Sequence, residues 1–281
     1  MDNNPGILLQ IKSAYNQLTK AEKKVADFVL ENTEQVLYMS ITDLADACSV
    51  GDTSVYRFCR TMKLQGYQEF KMQLSLSLAA QDVSGTAVVQ TEAKDLAERI
   101  MLSNIQAIQD TYMLLDRESV SAVVTMMEEA RRVYFFGIGD SRLSAEEGRN
   151  KFLRITGKVA CISDPHLQSM AAAIASEEDL IIIISYSGAT KDNIYVAKEA
   201  KRAGAKIACI THYRKSPLTA YADAVLLCGA KEAPMDGGSM AAKIGQMYLI
   251  DLLYQEYYSR NTEECAISHE KTVRSVVEKL Y

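Results

Sequence analysis

Apolar residues recur at helical spacing over the first 80 positions. Ile7, Leu8, Ile11, Tyr15 and Leu18 follow i, i+1, i+4, i+8, i+11, which predicts one face of a helix. Thr19 and Glu22 then form a capping box, each side chain bonding the other's free backbone N–H. The helix they open carries Val25, Phe28 and Val29 on its apolar face. A third helix is expected from Asn32 or Thr33, and Ser40 with Asp43 gives a second capping signature. The period then breaks: Asp82-Val83-Ser84-Gly85-Thr86 is small and polar and predicts a linker over residues 81–91. Helical patterning resumes near Glu92 with Leu96, Ile100, Ile105 and Leu114, and another helix is expected over residues 119–130.

From Arg132 the pattern changes. Short β-rich runs stand at residues 133–136, 158–162, 180–185, 206–211 and 224–228, with helical stretches between the earlier ones. The third run is continuously apolar, as strands buried on both faces are. Five such runs predict a parallel sheet covered by helices. Two long helices close the sequence, over about residues 239–259 and 263–280. The fold class expected is therefore an all-α domain (1–80) followed by a three-layer α/β/α domain (92–281) with a five-stranded parallel sheet.

With 281 residues, 48% of them hydrophobic, the chain has enough apolar material for two real cores, which excludes disorder as its main state. No apolar run approaches the length of a membrane span, and Met1–Pro5 has no basic, signal-like start, so a cytoplasmic protein without membrane contact is expected. Six cysteines are scattered without a Cys-x-x-Cys, and three histidines do not cluster with them, so neither a disulfide framework nor a metal site is expected. Cys161 and Cys209 fall inside strand-like runs, where a thiol acts as a small hydrophobe.

The net charge of −5 argues against a protein coated in basic charge. The distribution says more. Residues 53–71 hold Arg57, Arg60, Lys63 and Lys71 against Glu69 alone. A local basic patch of this kind matters more to nucleic-acid binding than the sum over the chain.

That patch lies in a specific arrangement. A short helix carrying Ile41, Leu44, Ala45 and Cys48 leads into a turn at residues 49–51, and a second helix follows with Val55, Phe58, Cys59 and Met62 at i, i+3, i+4, i+7. With that face buried, the other presents Thr53, Ser54, Tyr56, Arg57 and Arg60, with Lys63 beyond. Hydroxyls at a helix N-terminus suit phosphates, and arginines suit guanine edges in a major groove. The spacing reads as a helix-turn-helix, though a helical hairpin with a solvated charged face has the same pattern.

Residues 18–71 resemble the N-terminal domain of RpiR-type transcriptional regulators. The likeness is carried by Leu18-Thr19-Lys20-Ala21-Glu22-Lys23-Lys24, Met39-Ser40-Ile41, Leu44-Ala45 and, most specifically, Val55-Tyr56-Arg57-Phe58-Cys59-Arg60 with Gly66-Tyr67-Gln68-Glu69-Phe70-Lys71. Family members usually carry Gly in the turn and Ser at the start of the recognition helix; here Ser49 and Gly51 stand in those places. Asp52 is expected to take over as N-cap from Gly51, the weaker capping residue.

Two small-residue loops follow predicted strands in the second domain. They are Gly137-Ile138-Gly139-Asp140-Ser141 and Ser185-Tyr186-Ser187-Gly188-Ala189-Thr190. Glycine lets backbone approach an anion, a following helix supplies N–H groups, and hydroxyls add neutral donors. The lack of a third glycine where Arg142 and Leu143 stand argues against a dinucleotide fingerprint. Residues 92–281 resemble the SIS (sugar isomerase) domain, which binds phosphosugars. The resemblance implies a site with Gly139, Ser141, Ser185, Ser187, Gly188 and Thr190, with Glu232 after the fifth strand. Ser216-Pro217-Leu218, Ala222-Asp223, Gln246 and Asp251-Leu252-Leu253-Tyr254 extend the likeness. His166 is a further candidate for the pocket, and Lys191 and Lys243 are candidate cations. Asp140 departs from the small neutral residue often found in the first loop and is expected either to point away as a cap or to bond sugar hydroxyls.

Together these readings predict a DNA-binding transcriptional regulator of sugar-metabolism genes, most simply a repressor, whose partners are double-stranded operator DNA and a phosphosugar effector. It is expected to act as a homodimer or homotetramer, without catalysis and without a cofactor. The alternative is a sugar-phosphate isomerase or lyase, for which Glu232 and His166 are the candidate acid–base groups.

Overall fold

The computed structural model describes residues 6–82, 95–229, 240–277 and 279. They form two compact units, divided between Met101 and Leu102.

The first unit is helical: α1 (Ile7–Ala14), a 3₁₀ turn (Tyr15–Gln17), α2 (Lys20–Glu31), α3 (Thr33–Leu37), α4 (Ile41–Ala47), α5 (Asp52–Thr61) and α6 (Tyr67–Asp82). Both expected capping boxes are present, at Thr19/Glu22 and Ser40/Asp43. The first helix is shorter than its apolar period suggests. Thr19 must be extended to cap α2, so the chain leaves the helix beforehand, and Leu18 reaches the core from an extended backbone. Ile11, Val25, Val29, Leu44, Val55, Phe58, Phe70 and Leu74 make that core, with Phe58 edge-on to Phe70 at 5.6 Å between ring centres. Helix α6 continues to Asp82, and most of the predicted linker lies outside the described residues.

The second unit contains the C-terminal part of α7 (Leu96–Met113), then α8 (Arg117–Glu129), β1 (Arg132–Gly137), α9 (Ser141–Phe152), β2 (Val159–Cys161), α10 (Pro165–Ala173), β3 (Asp179–Ile184) and α11 (Lys191–Arg202). It continues with β4 (Lys206–Thr211), β5 (Ala224–Leu227), α12 (Met240–Arg260) and α13 (Thr262–Val277). The five strands are parallel in the order β2-β1-β3-β4-β5, with Val133 opposite both Val159 and Leu180. Every residue of β3 is buried. Its even-numbered members, Leu180, Ile182 and Ile184, pack with Phe135 against α8, α9 and α12, while Ile181 and Ile183 pack with Tyr134 and Phe136 against α10 and α11. This is the three-layer arrangement that a continuously apolar strand requires.

The helical pattern of α7 misleads about its face. Leu96, Ile100 and Ile105 are exposed, and the buried positions are Ala107 and Thr111. Thr111 Oγ1 accepts from the Gly229 N–H at 3.0 Å and donates to Ala107 O, so a small polar residue closes α7 onto the end of β5. At the foot of the sheet, buried Asp179 takes Nε and Nη2 of Arg132 at 3.0 and 3.1 Å and the Ser176 N–H at 2.9 Å. Burial raises its pKa, but these partners more than offset that and hold it below the usual carboxylate range. All six cysteines are free thiols, and burial pushes Cys59 and Cys209 up to about 12. Among the described residues no helix is long and apolar enough to cross a membrane, and no cluster of His, Cys, Asp and Glu is arranged to hold a metal.

Glu22 positions α5 from beneath. Its Oε2 accepts from Thr19 N–H and hydroxyl, and its Oε1 accepts from the Thr61 hydroxyl at 2.7 Å, which ties the start of α2 to the end of α5. Burial pushes the carboxyl up, while bonds from Thr61 and Thr19 and the Arg57 charge outweigh it and leave the pKa below the ordinary 4.5. A group of this kind stabilises the fold above its unfolded pKa and loses that contribution as pH falls through the folded value. Glu22→Gln is expected to cost about 1–3 kcal/mol at neutral pH, the range for breaking a buried charge-assisted network. In urea melts, the gap from wild type should be full above about pH 5 and close progressively below the ordinary glutamate pKa.

Candidate functional site

The helix-turn-helix is formed by α4 and α5. Helix α4 ends in a tight closure, Val50 N–H to Ala45 O at 2.9 Å, with Ser49 in the left-handed region at φ 51°. That is the conformation glycine adopts most cheaply, which explains why Gly suits this turn and why Ser49 is strained there. Gly51 is the N-cap of α5 and offers no side-chain bond. Asp52 does not take over the cap as expected. It is the first helical residue, and its carboxylate accepts from the Thr42 hydroxyl at 2.9 Å, so it ties α5 to α4 instead.

Val55, Phe58, Cys59 and Met62 are buried, which leaves Thr53, Tyr56, Arg57, Arg60 and Lys63 exposed and Ser54 half-buried. Thr53, Arg57 and Arg60 stand at i, i+4, i+7, one stripe of the helix. Arg60 bends back, its Nη1 donating to Leu64 O at 3.2 Å, and Tyr56 lies against Gly66. Lys63 occupies a left-handed position at φ 62°, past the helix end. Lys71, counted from the sequence in the basic patch, is not part of it. It is buried, donating to Met39 O at 3.1 Å and sitting over the Tyr67 ring. Lys24 on α2 replaces it as a charge near the turn: burial pushes the Cys48 thiol up to about 11, and Lys24 opposes that shift from close by. Its position within the run Lys20–Lys24 was visible, but not that α2 would bring it beside α4.

In the second unit, the strand order reverses direction between β1 and β3. The crevice beyond the carboxyl ends of those two strands is where open parallel sheets bind ligands. Both small-residue loops open there, since one follows β1 and the other follows β3. Gly137 allows the first loop to fold back, because a Cβ would collide with the Ser141 carbonyl group. Gly139 has φ 60°, and Ser141 is the first residue of α9. In the second loop Ser185 is buried, Ser187 Oγ accepts from Ala189 N–H at 3.2 Å, and Thr190 begins α11 without spending its side chain on the cap. Gly188 also has φ 60°, and a Cβ there would overlap the buried Ser216 hydroxyl group, which explains the Ser216-Pro217-Leu218 likeness. Leu218 N–H donates to Gly188 O at 3.0 Å and fixes the loop further.

Three groups of contacts complete the surroundings. Tyr186 stacks on His212 at 5.0 Å between ring centres, and Tyr213 meets that histidine edge-on at 4.8 Å. Gln168 donates from Nε2 to Gly137 O and Ile162 O, leaving Oε1 a buried acceptor without a partner among the described residues. The first turns of α12 lie against both loops. Ala242 is buried with Ala107 in a cluster that Tyr186 packs against, Lys243 Nζ is 3.2 Å from Asp140 Oδ2, and Gln246 Oε1 accepts from Ser144 of α9 at 2.6 Å. Asp140 is therefore neither a side-chain cap nor without a charge partner. His166 is exposed in the first turn of α10, Lys191 is exposed in the first turn of α11, and Glu232 lies outside the described residues.

A helix-turn-helix unit joined in one chain to a parallel α/β unit with an anion-suited crevice defines a ligand-responsive class of DNA-binding regulator. The comparisons identify the family. A helix-turn-helix domain of the rpiR family matches residues 5–81, and a SIS domain matches residues 126–255. An HTH-type transcriptional regulator from Haemophilus influenzae is 33% identical over 99% of both chains. The HTH-type transcriptional regulator HexR of Pseudomonas aeruginosa is 35% identical over 88% of this chain and 87% of its own. The structure of the Vibrio vulnificus NanR protein complexed with ManNAc-6P superposes with a TM-score of 0.88 at 28% identity, covering 98% of this chain and 99% of that one. The chain belongs to the RpiR family of helix-turn-helix transcriptional regulators.

The glycine at 188 gives a direct check on the second loop. Gly188→Ala forces a side chain into a left-handed backbone and onto Ser216, and is expected to destabilise the second unit by about 1–3 kcal/mol. Thermal melts should show the loss, whereas Ala189→Gly beside it should shift the melting temperature far less.

Proposed function

We propose that this regulator grips a pseudo-palindromic operator through α5 of two copies and is controlled by a phosphorylated sugar bound in the β1/β3 crevice. In this reading Thr53, Ser54 and Tyr56 contact the DNA backbone and Arg57 and Arg60 reach base edges, with Lys63 on a neighbouring phosphate. Gly139, Ser141, Ser185, Ser187, Gly188 and Thr190 hold the phosphate, with His166 and Glu232 on the sugar. The observation that carries the proposal is the convergence of two glycine-and-hydroxyl loops, each leading into a helix N-terminus, at the switch point of the sheet. The similarity to a regulator solved with ManNAc-6P supports a sugar phosphate as effector class.

The effector acts by preferring one arrangement of a dimer, which changes the spacing of the two recognition helices. Apolar side chains left exposed on α10 and α13, such as Met170, Ile174, Ile267 and Val276, support an oligomer. Repression of sugar-metabolism genes is part of the same proposal.

A thermal-shift panel tests the effector directly. A ligand that binds only the native state raises the melting temperature. A hexose 6-phosphate, pentose 5-phosphate or N-acetylhexosamine 6-phosphate should raise it, and the unphosphorylated sugars should not. Absence of any shift with all three classes, or turnover of a bound sugar phosphate, would overturn this reading. For the DNA interface, Arg57→Ala should weaken binding to a selected duplex by roughly tenfold or more, as loss of a bidentate base contact does. The effector-induced thermal shift should remain, since Arg57 is in the other unit.

A further inference from the structure

We infer that Asp140 is a built-in competitor for the phosphate of the effector: it pairs with Lys243 at the crevice and thereby sets the affinity of the site. The inference rests on the phosphosugar reading above and concerns how that same site is tuned.

Asp140 lies in the loop after β1, one residue before the first turn of α9, where the expected phosphate would meet backbone N–H groups. A carboxylate in such a place is itself an anion at an anion site. Its partner is Lys243, which comes from α12, more than a hundred residues away in sequence, at 3.2 Å. Lys243 is 18% exposed and Asp140 52% exposed, so the cation is held by its surroundings while the carboxylate has room to leave toward solvent. Its neighbour Ala242 is buried with Ala107 in a small cluster against which Tyr186 of the second loop packs, and Gln246 one turn later bonds Ser144 of α9. Lys243 therefore stands with both loops, fixed by contacts on either side of it.

The charges then dictate an exchange. A sugar phosphate brings up to two negative charges to within a few ångströms of Asp140, and in a partly desolvated crevice such like charges repel. The repulsion is relieved when Lys243 passes from carboxylate to phosphate and Asp140 turns outward. No bond is made or broken and no proton needs to move. The ligand must displace an ion pair already formed, so its apparent affinity is lower than that of the same crevice with a neutral residue at 140. Asp140 thus raises the effector concentration at which the regulator responds.

Isothermal titration of the full chain with glucose 6-phosphate and with inorganic phosphate tests this, using Asp140→Asn and Lys243→Gln singly and together. Asp140→Asn should tighten phosphate-group binding roughly tenfold, the order expected for one charge removed a few ångströms from the ligand. Lys243→Gln should weaken it by a similar factor, and in the Lys243→Gln background the second change should still help because repulsion by Asp140 persists. Circular dichroism melts of each variant establish folding, and Arg274→Gln, a change of charge on the exposed face of α13, is a control expected to leave binding unaltered. Equal affinities for wild type and Asp140→Asn, or weaker binding by Asp140→Asn, would overturn the competitor role while leaving the crevice a phosphosugar site. Failure of wild type and every variant to bind either probe or the phosphosugar panel would overturn the underlying reading instead. Binding by Asp140→Asn alone would support the competitor role.

Discussion

The placement of the two small-residue loops depends on the complete burial of β3. A strand covered on both faces must lie in the middle of a sheet with helices above and below, and its neighbours must then be parallel strands joined by those helices. Once β1 and β3 are adjacent and their following helices go to opposite faces, the loops after the two strands diverge from their carboxyl ends. Near these ends stand two loops with left-handed glycines, the starts of α9 and α11, the amide of Gln168 and the first turns of α12. The apolar core sets where the loops stand, and the polar residues decide what they can hold.

The helical unit solves a different problem with the same economy. A helix that is to read DNA must keep its outer face polar and still be held rigidly, so its anchoring has to come from the inner face and the ends. Val55, Phe58 and Cys59 supply the inner face, Asp52 ties the start of α5 to Thr42, and Thr61 ties its end to Glu22. Only Arg60 among the basic residues of the helix spends a donor on the protein's own backbone, and Arg57 is restrained by the Glu22 charge alone among the interactions described. The strained Ser49 turn is the weak joint of this construction, and glycine would relieve it.

Much of this was legible in the sequence because local chemistry and tertiary context agree. Capping boxes at Thr19 and Ser40, the apolar stripe of α5 and the unbroken Leu180–Ile184 run are each dictated by the residues that show them. What was not legible came from elements distant in sequence. Lys71 looked like part of a basic patch, yet it is buried against Met39 O because α6 turns it inward. Asp140 was read as a cap or a sugar contact because nothing near it in sequence announces Lys243. The pattern of α7 suggested an apolar face at Leu96, Ile100 and Ile105, while the structure buries Ala107 and Thr111 because the approach to Gly229 admits only small side chains. Spacing identifies a face, and only packing decides which face is used.

Coupling between the proposed effector site and α5 is what makes the protein a regulator, and fluorescence anisotropy on a labelled duplex measures it most directly. The duplex would be enriched from a random pool by the full chain at low salt, then titrated with and without a saturating phosphosugar identified by thermal shift. DNA affinity should change at least several-fold with the phosphosugar, stay unchanged with its unphosphorylated form, and weaken steeply with salt as phosphate contacts require. Identical binding curves with and without the phosphosugar would contradict it.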